Sequence, residues 1–401
     1  MEQAGKVTGY LWLAFIISFL SNVLGGTVST LMSVYLPVVV RDLLGNVDEQ
    51  RLNDVSAYIN SIYIVGWTVG GLTWGVVSDR IGRRKSLALS IASFGIFTIL
   101  TGFANSWEWV LVCRFFSGFG VGGVLVISVT LLSEIFPEKH RAVFIGILSI
   151  GFPVGIFSSG LLGVLVPAWK QGFFMGLLPV ALGLVSYFLI KESERWSRDQ
   201  SSSESSKVSL FNSENRNNLW KGAIIFGSML IGLWALFLWM PTWVQSLLKN
   251  SDGQNERGLS MMLLGIGGLT GGFFSGWISN LVGIRKAMMM CFAGCLVMAI
   301  LLFKFNTEFS FIIYPEIALL ALFFGVSQGL LSVYVPLLFP SAVRATATGF
   351  CFNIGRLFTA AAVFFVGAMV TTLGGYGNSL LTFSIVFLLG LITIYFTKEK
   401  N

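Results

Sequence analysis

Charge is what this chain has least of. Of its 401 residues only 11% are Asp, Glu, Lys or Arg, against about 25% in soluble globular domains. With 55% apolar residues and a mean hydropathy of +0.79, the chain belongs in a bilayer rather than in water. Histidine is nearly absent: His140 stands alone in a polar loop, where it reads as a solvated side chain. The four cysteines, Cys113, Cys291, Cys295 and Cys351, all lie in apolar runs and read as buried thiols. They are too few for a disulfide scaffold, and with no histidine near them they offer no metal site. No intramembrane His, Cys/His or paired-carboxylate constellation is present, so neither an enzyme, nor a catalytic residue, nor a metal or other cofactor is expected. The first apolar run extends from Tyr10 to Val40, far beyond the roughly 7–15 residues of a signal-peptide core. No cleavable leader is expected.

What the chain does have is twelve apolar runs. A hydrocarbon core about 30 Å thick needs about 20 apolar residues per helical crossing. The charged and Pro/Gly-rich breaks delimit runs near 11–40, 56–79, 85–104, 107–133, 142–166, 171–190, 220–247, 258–280, 286–304, 311–338, 345–370 and 377–397. Six precede and six follow one hydrophilic stretch rich in Ser, Asn, Glu and Arg, which cannot bury a core and reads as a tether. The expected organisation is an N-terminal six-helix bundle at 1–190, a cytoplasmic linker at 191–219 and a C-terminal six-helix bundle at 220–401. With the N-terminus inside, eighteen Lys and Arg fall in inside segments and six (Arg41, Arg51, Lys170, Lys249, Arg257 and Lys304) in outside loops. That bias is the one expected of a chain with both termini in the cytoplasm. It also accounts for the net charge of +7 without a nucleic-acid partner.

The halves repeat. "GVVSDRIGRRK" at 75–85 returns as "GWISNLVGIRK" at 276–286, an offset of 201, and "FPEKHRA" at 136–142 returns as "FPSAVRA" at 339–345, an offset of 203. Six spans per copy keep the copies parallel, related by an axis along the membrane normal, with a binding site expected between them at mid-membrane.

At these residues the sequence resembles the major facilitator superfamily, over the whole chain. Gly75-x-x-x-Asp79-Arg80-x-Gly82-Arg83-Arg84-Lys85 matches the loop signature of that family between spans 2 and 3. Arg114-x-x-x-Gly118-x-Gly120 resembles its span-4 motif, and Gly151-Phe152-Pro153-Val154-Gly155 a loose form of its span-5 motif. Glu134 with Arg141, and Glu192-Ser193-Glu194-Arg195-Trp196 without prolines, resemble patterns of sugar and organic-ion carriers. The nearest likeness is to the organic-anion, aromatic-acid and sialate-type symporters. Read physically, the loop glycines permit a tight turn, and Asp79, Arg80, Arg83, Arg84, Glu134 and Arg141 can form a charge network locking the inside ends of the helices as a cytoplasmic gate. Basic residues there also enforce topology. The second copy carries Asn280, Leu281 and Leu337 where the first has Asp79, Arg80 and Glu134, so its latch should be weaker.

Two arginines interrupt otherwise apolar helices, where a cation costs at least about 2.5–3.5 kcal/mol on insertion scales. Arg356 follows Arg344 by twelve residues, placing it about 18 Å along the helix, near mid-membrane. Gly349, Asn353, Arg356 and Ala360 share a face, and a guanidinium fork suits a carboxylate. The alternative is an arginine held by backbone carbonyls. The resemblance to organic-anion carriers with an arginine in span 11 favours the clamp. Arg114, seven residues after Trp107, and Glu316 are candidates for coupling, while span 1 holds no acid between Tyr10 and Val40. Polar and aromatic residues within spans favour the bundle interior. Tyr63 and Trp67, on a stripe with Asn60 and Trp74, join Trp239, Gln328 and Asn22 as candidates for the substrate cavity. Glycine runs such as "GIGGLTGG" at 265–272 permit close helix contact and are not phosphate cradles.

The sequence thus predicts an all-α membrane protein of twelve transmembrane helices in two pseudo-symmetric bundles. It would be a secondary carrier moving a small organic anion, a carboxylate, by alternating access, with protons as the coupling ion. The expected setting is a bacterial inner membrane, where the chain would be a monomer in the lipid bilayer with both termini cytoplasmic. Sugar and multidrug carriers are alternatives within the fold. Span 7 lacks the paired glutamines of sugar carriers, and Arg356 opposes a cationic drug. A non-transporting receptor is the alternative on the same fold.

Overall fold

The computed structural model describes residues 8–193, 213–248, 252–339 and 344–397. Residues 194–212 of the expected linker lie outside them. Among the described residues twelve helices are long and apolar enough to cross a membrane, and no strand occurs. They are α1 (Gly9–Leu44), α2 (Glu49–Ile81), α3 (Arg83–Gly102), α4 (Trp107–Ile135), α5 (Glu138–Leu165), α6 (Trp169–Leu189), α7 (Arg216–Ser246), α8 (Gln254–Val282), α9 (Ile284–Phe305), α10 (Ile313–Leu337), α11 (Ala347–Ala368) and α12 (Tyr376–Phe396).

Several helices run past the apolar boundaries, because backbone hydrogen bonding and capping set a helix end rather than hydropathy. Asp48 Oδ1 accepts the Arg51 amide at 2.7 Å and so starts α2 seven residues before the apolar run. Ser106 caps α4 by accepting from the Trp109 amide at 3.3 Å. Helix α8 begins at Gln254, which brings Arg257, expected in an outside loop, into its first turn and out of solvent. The repeat shows in the backbone as well. α2 and α3 meet at Gly82 with φ 96°, and α8 and α9 meet at Gly283 with φ 83°. A side chain strains that backbone, so both turns hold glycine.

The described residues fall into two compact units. The first draws on Met1–Leu31, Ile62–Ser159 and Val166–Ser205, and the second on Met32–Ser61, Gly160–Leu165 and Ser206–Asn401. In the first, α2 and α4 meet backbone to backbone. A methyl on Gly66 or Gly70 would run into the carbonyl of Phe115 or Phe119, and one on Gly118 or Gly122 into that of Tyr63 or Trp67. In the second, Gly267 and Gly271 of α8 stand in the same way against the carbonyls of Ala318 and Leu322 in α10, and Gly325 against that of Gly268. Gly66 and Gly267 are 201 residues apart, as are Gly70 and Gly271. The offset read from the loop motifs is thus an offset of helix packing, in which small residues replace the hydrophobic drive that lipid removes. The second unit also contains the ends of α1, α2 and α5 remote from the chain termini, packed with helices of the second half.

Candidate functional site

At the α2–α3 turn of the first unit, Arg83 is the centre of the signature loop. Its Nη2 and Nε donate to Glu134 Oε1 at 2.9 and 3.1 Å, while Nη1 donates to Asp79 Oδ1 at 2.5 Å and Ser78 Oγ at 3.0 Å. One guanidinium therefore ties α2, α3 and α4 together. Glu192, just past α6, accepts the backbone amides of Arg83 at 2.6 Å and Arg84 at 3.3 Å, which places a carboxylate on the N-terminus of α3, where the helix dipole favours it. Arg84 Nε donates to the Tyr187 carbonyl at 2.6 Å, and Arg80 is exposed. Arg141, expected among the acids, donates instead to the Phe136 carbonyl at 3.3 Å; it closes the turn between α4 and α5. In the second copy Asn280, Leu281 and Leu337 are exposed. There Arg285 reaches the carbonyls of Ile394 and Tyr395 at the end of α12, so that corner is fastened to backbone rather than to acids.

Deeper in the first unit, Arg114 is 1% exposed and donates to the carbonyls of Val28 at 3.2 Å and Ser29 at 3.5 Å, with its guanidinium 3.9 Å from the Tyr63 ring centroid. Tyr63 Oη and Ser29 Oγ are 2.6 Å apart. Tyr63 meets Trp67 edge to face, and Trp67 stacks on Phe152 at 5.6 Å. Arg114, Tyr63 and Trp67 thus form one continuous cluster across α1, α2, α4 and α5. Asn22 of α1 is buried and donates to the Ser18 carbonyl of its own helix at 2.8 Å.

In the second unit, Arg356 of α11 is 7% exposed, with its guanidinium 4.1 Å from the Phe352 centroid. Phe352 in turn packs edge to face on Phe226 of α7. Asn353, one turn before Arg356, donates to the Gly349 carbonyl at 2.9 Å. Gln328 of α10 has a buried Nε2 without a hydrogen-bond partner among the described residues. Asn60 of α2, fully buried in the same unit, has neither amide atom partnered among the described residues. Trp239 is fully buried and donates to the Val363 carbonyl at 3.0 Å, fixing α7 to α11. Glu316 accepts from Asn306 at 2.8 Å in this second unit, whereas Arg114 belongs to the first.

Sequence reasoning missed a second polar cluster. Arg257 is 0% exposed; Nε donates to the Val34 carbonyl at 2.7 Å, Nη1 to the Asp252 carbonyl at 2.6 Å and to Gln245, and Nη2 to Gln254 Oε1 at 2.6 Å. Gln254 in turn donates to the Gly163 carbonyl. Beside it lies a cavity of about 730 Å³ lined by Arg41, Glu49, Asn53, Thr242, Gln245 and Tyr376 among others. The available signal was the Gln-x-x-Arg spacing at the start of an apolar run, one helical turn in which both side chains face one way.

One helix-packing pattern set twice in a chain at a constant offset defines the class: a membrane protein built from an internal repeat. The chain belongs to the Major Facilitator Superfamily, whose family model matches residues 11–363. It is 26% identical to the cis,cis-muconate transport protein of Acinetobacter baylyi, over 100% of this chain and 98% of that one. To the benzoate transport protein of the same organism it is 24% identical, over 100% and 92%. Its fold superposes on an inward-open structure of the xylose transporter XylE from E. coli with a TM-score of 0.81, covering 98% of this chain and 97% of that one at 16% identity. That likeness is one of fold alone.

Proposed function

We propose that this transporter carries a small organic carboxylate by alternating access, with Arg356 as the group that binds the carboxylate and protons as the coupling ion. The observation that carries the reading is the buried Arg356 of α11, in a unit that also holds the unpartnered amide atoms of Asn60 and Gln328. A guanidinium keeps its charge at any working pH and offers a planar fork of donors. Phe352 beneath it adds a cation–π contact that holds the plane. Buried amides ordinarily find partners, and a substrate with carboxylate and hydroxyl or carbonyl oxygens supplies them. The transport of muconate and benzoate by relatives of this chain agrees with that chemistry. The working form is a monomer in a bacterial inner membrane, with both termini in the cytoplasm.

Binding of benzoate and of cis,cis-muconate to purified protein, followed by titration calorimetry, tests the assignment. Arg356→Ala should weaken binding about 100-fold and Arg356→Lys about tenfold, because lysine keeps the charge and loses the fork. Uptake into vesicles loaded with a pH-sensitive dye reads proton movement in the same preparation. Unchanged affinity in Arg356→Ala, or wild-type preference for a neutral sugar over both carboxylates, overturns the reading.

A further inference from the structure

We propose that Arg257, together with Gln254 and Gln245, is the latch that closes the carrier at the end remote from the chain termini, and that opening to that side breaks its bonds to α1 and α5. The proposal rests on the alternating-access reading above and assigns a role to a residue which that reading leaves unused. A fully buried guanidinium demands acceptors for its donors. Here it finds them on four separate pieces of chain: the Val34 carbonyl of α1, Gln245 of α7, the Asp252 carbonyl before α8, and Gln254 within α8. Through Gln254 the same cluster grips the Gly163 carbonyl of α5. Helices of the first half of the chain are thus fastened to helices of the second half by one side chain and its amide neighbour.

Three features suit this cluster to repeated opening rather than to permanent structure. First, its acceptors are neutral: among the described residues no carboxylate pairs with Arg257. A cation at the N-terminus of α8 also opposes the helix dipole. The closed cluster therefore lacks the deep Coulombic well of a buried ion pair. Second, the Val34 carbonyl lies within α1 and has a second lone pair for the cation, while the Gly163 carbonyl lies in the last turn of α5, where Pro167, four residues on, has no N–H to give it. Releasing Arg257 and Gln254 to water leaves every helical hydrogen bond in place. Third, the helices beside the latch meet over small residues. Gly160 of α5 and Gly258 of α8 lie so close that a methyl on Gly160 would meet the Gly258 carbonyl and one on Gly258 the Gly160 carbonyl, with the apolar side chains of Val164 and Met262 packed beside them. The neighbouring fasteners include hydrogen bonds between neutral groups, Tyr376 to Asn53 at 2.5 Å, Gln50 to the Ala368 carbonyl at 3.4 Å and Tyr35 to the Leu162 carbonyl at 3.4 Å, and the Tyr58–Phe364 ring contact at 5.4 Å.

The test needs no substrate. Thr242 lines the cavity beside the latch, is 7% exposed, and its hydroxyl has no partner among the described residues, so Thr242→Cys is a mild reporter. The four native cysteines are buried. Spin labels at Asn46, between α1 and α2, and at Thr307, between α9 and α10, give distances across that end of the second unit. In full-length protein reconstituted in nanodiscs, Arg257→Met should raise maleimide labelling of Thr242→Cys at least about tenfold, the shift expected from losing a hydrogen bond to a charged group. It should also add a longer Asn46–Thr307 distance. Gln254→Met, which leaves the charge in place, should move both readouts the same way by less, and serves if Arg257→Met does not fold. Unchanged labelling and distances in a folded variant overturn the latch. Carboxylate binding by the wild type is scored separately: its absence sinks the substrate reading, while a widened distance in Arg257→Met upholds the latch.

Discussion

Arg83 holds two acids of very unequal worth. Both side chains of the Arg83–Glu134 pair are 10% exposed, whereas Asp79, the acid of the signature motif, is 70% exposed. An exposed pair contributes up to about 1 kcal/mol, while removing one partner of a shielded pair strands a charge and costs about 3–5 kcal/mol. Glu134→Gln should therefore lower thermal stability in detergent by several times the loss in Asp79→Asn, and a double-mutant cycle of Arg83 with Glu134 should show the larger coupling. Equal losses would mean that Asp79 is shielded in the state that dominates in solution. The acids of this corner were legible in the sequence because motif residues declare their charge. That Arg141 turns to the Phe136 carbonyl instead was not, because a backbone acceptor leaves no trace in residue identity. Arg257 escaped notice for the same reason. Its hydrophilic neighbours made it resemble a loop residue, and nothing in the sequence announces carbonyls arriving from α1.

Among helices, the glycines decide how close two backbones come, and they separate into fitted and idle positions along one element. Gly271 of α8 faces the Leu322 carbonyl with no room for a methyl, whereas Gly276, in the second copy of the loop motif, has open space where its Cβ would be. Gly271→Ala must push α8 away from α10 and should destabilise the protein by about 1–3 kcal/mol, as overpacking does. Gly276→Ala should be neutral or stabilising by up to about 1 kcal/mol, since alanine orders the unfolded chain and favours helix. Melting midpoints by differential scanning fluorimetry separate the two outcomes; a similar fall in both would remove the close-approach argument. The existence and order of the twelve helices could be read from hydropathy, because a bilayer imposes a length on every crossing. Which face of "GIGGLTGG" meets a neighbour could not, since every residue of that run is small or apolar. Helix ends were missed where capping by Asp48, or a buried cation such as Arg257, carried a helix past its apolar stretch.

For the whole molecule, one decision about sidedness determines the meaning of every site. The proposed sidedness, drawn from the inside-loop excess of Lys and Arg, has the signature loop, the hydrophilic stretch after α6 and both termini facing the cytoplasm. By alternation of the helices the Arg257 cluster and the cavity beside it then open to the outside. The Arg83 network and the Arg257 cluster are held by different physics. The first pairs charge with charge, so parting it strands ions and is steep; the second pairs a cation with neutral oxygens that water can replace, so parting it is shallow. Ser202→Cys in the hydrophilic stretch and Asn46→Cys between α1 and α2 test the assignment in intact cells, against a background of four buried native thiols. A membrane-impermeant maleimide applied from outside should label Asn46→Cys and spare Ser202→Cys until the membrane is permeabilised. Labelling of Ser202→Cys alone in sealed cells would invert the molecule. The Arg83 network would then face the outside and the proposed Arg257 latch the cytoplasm.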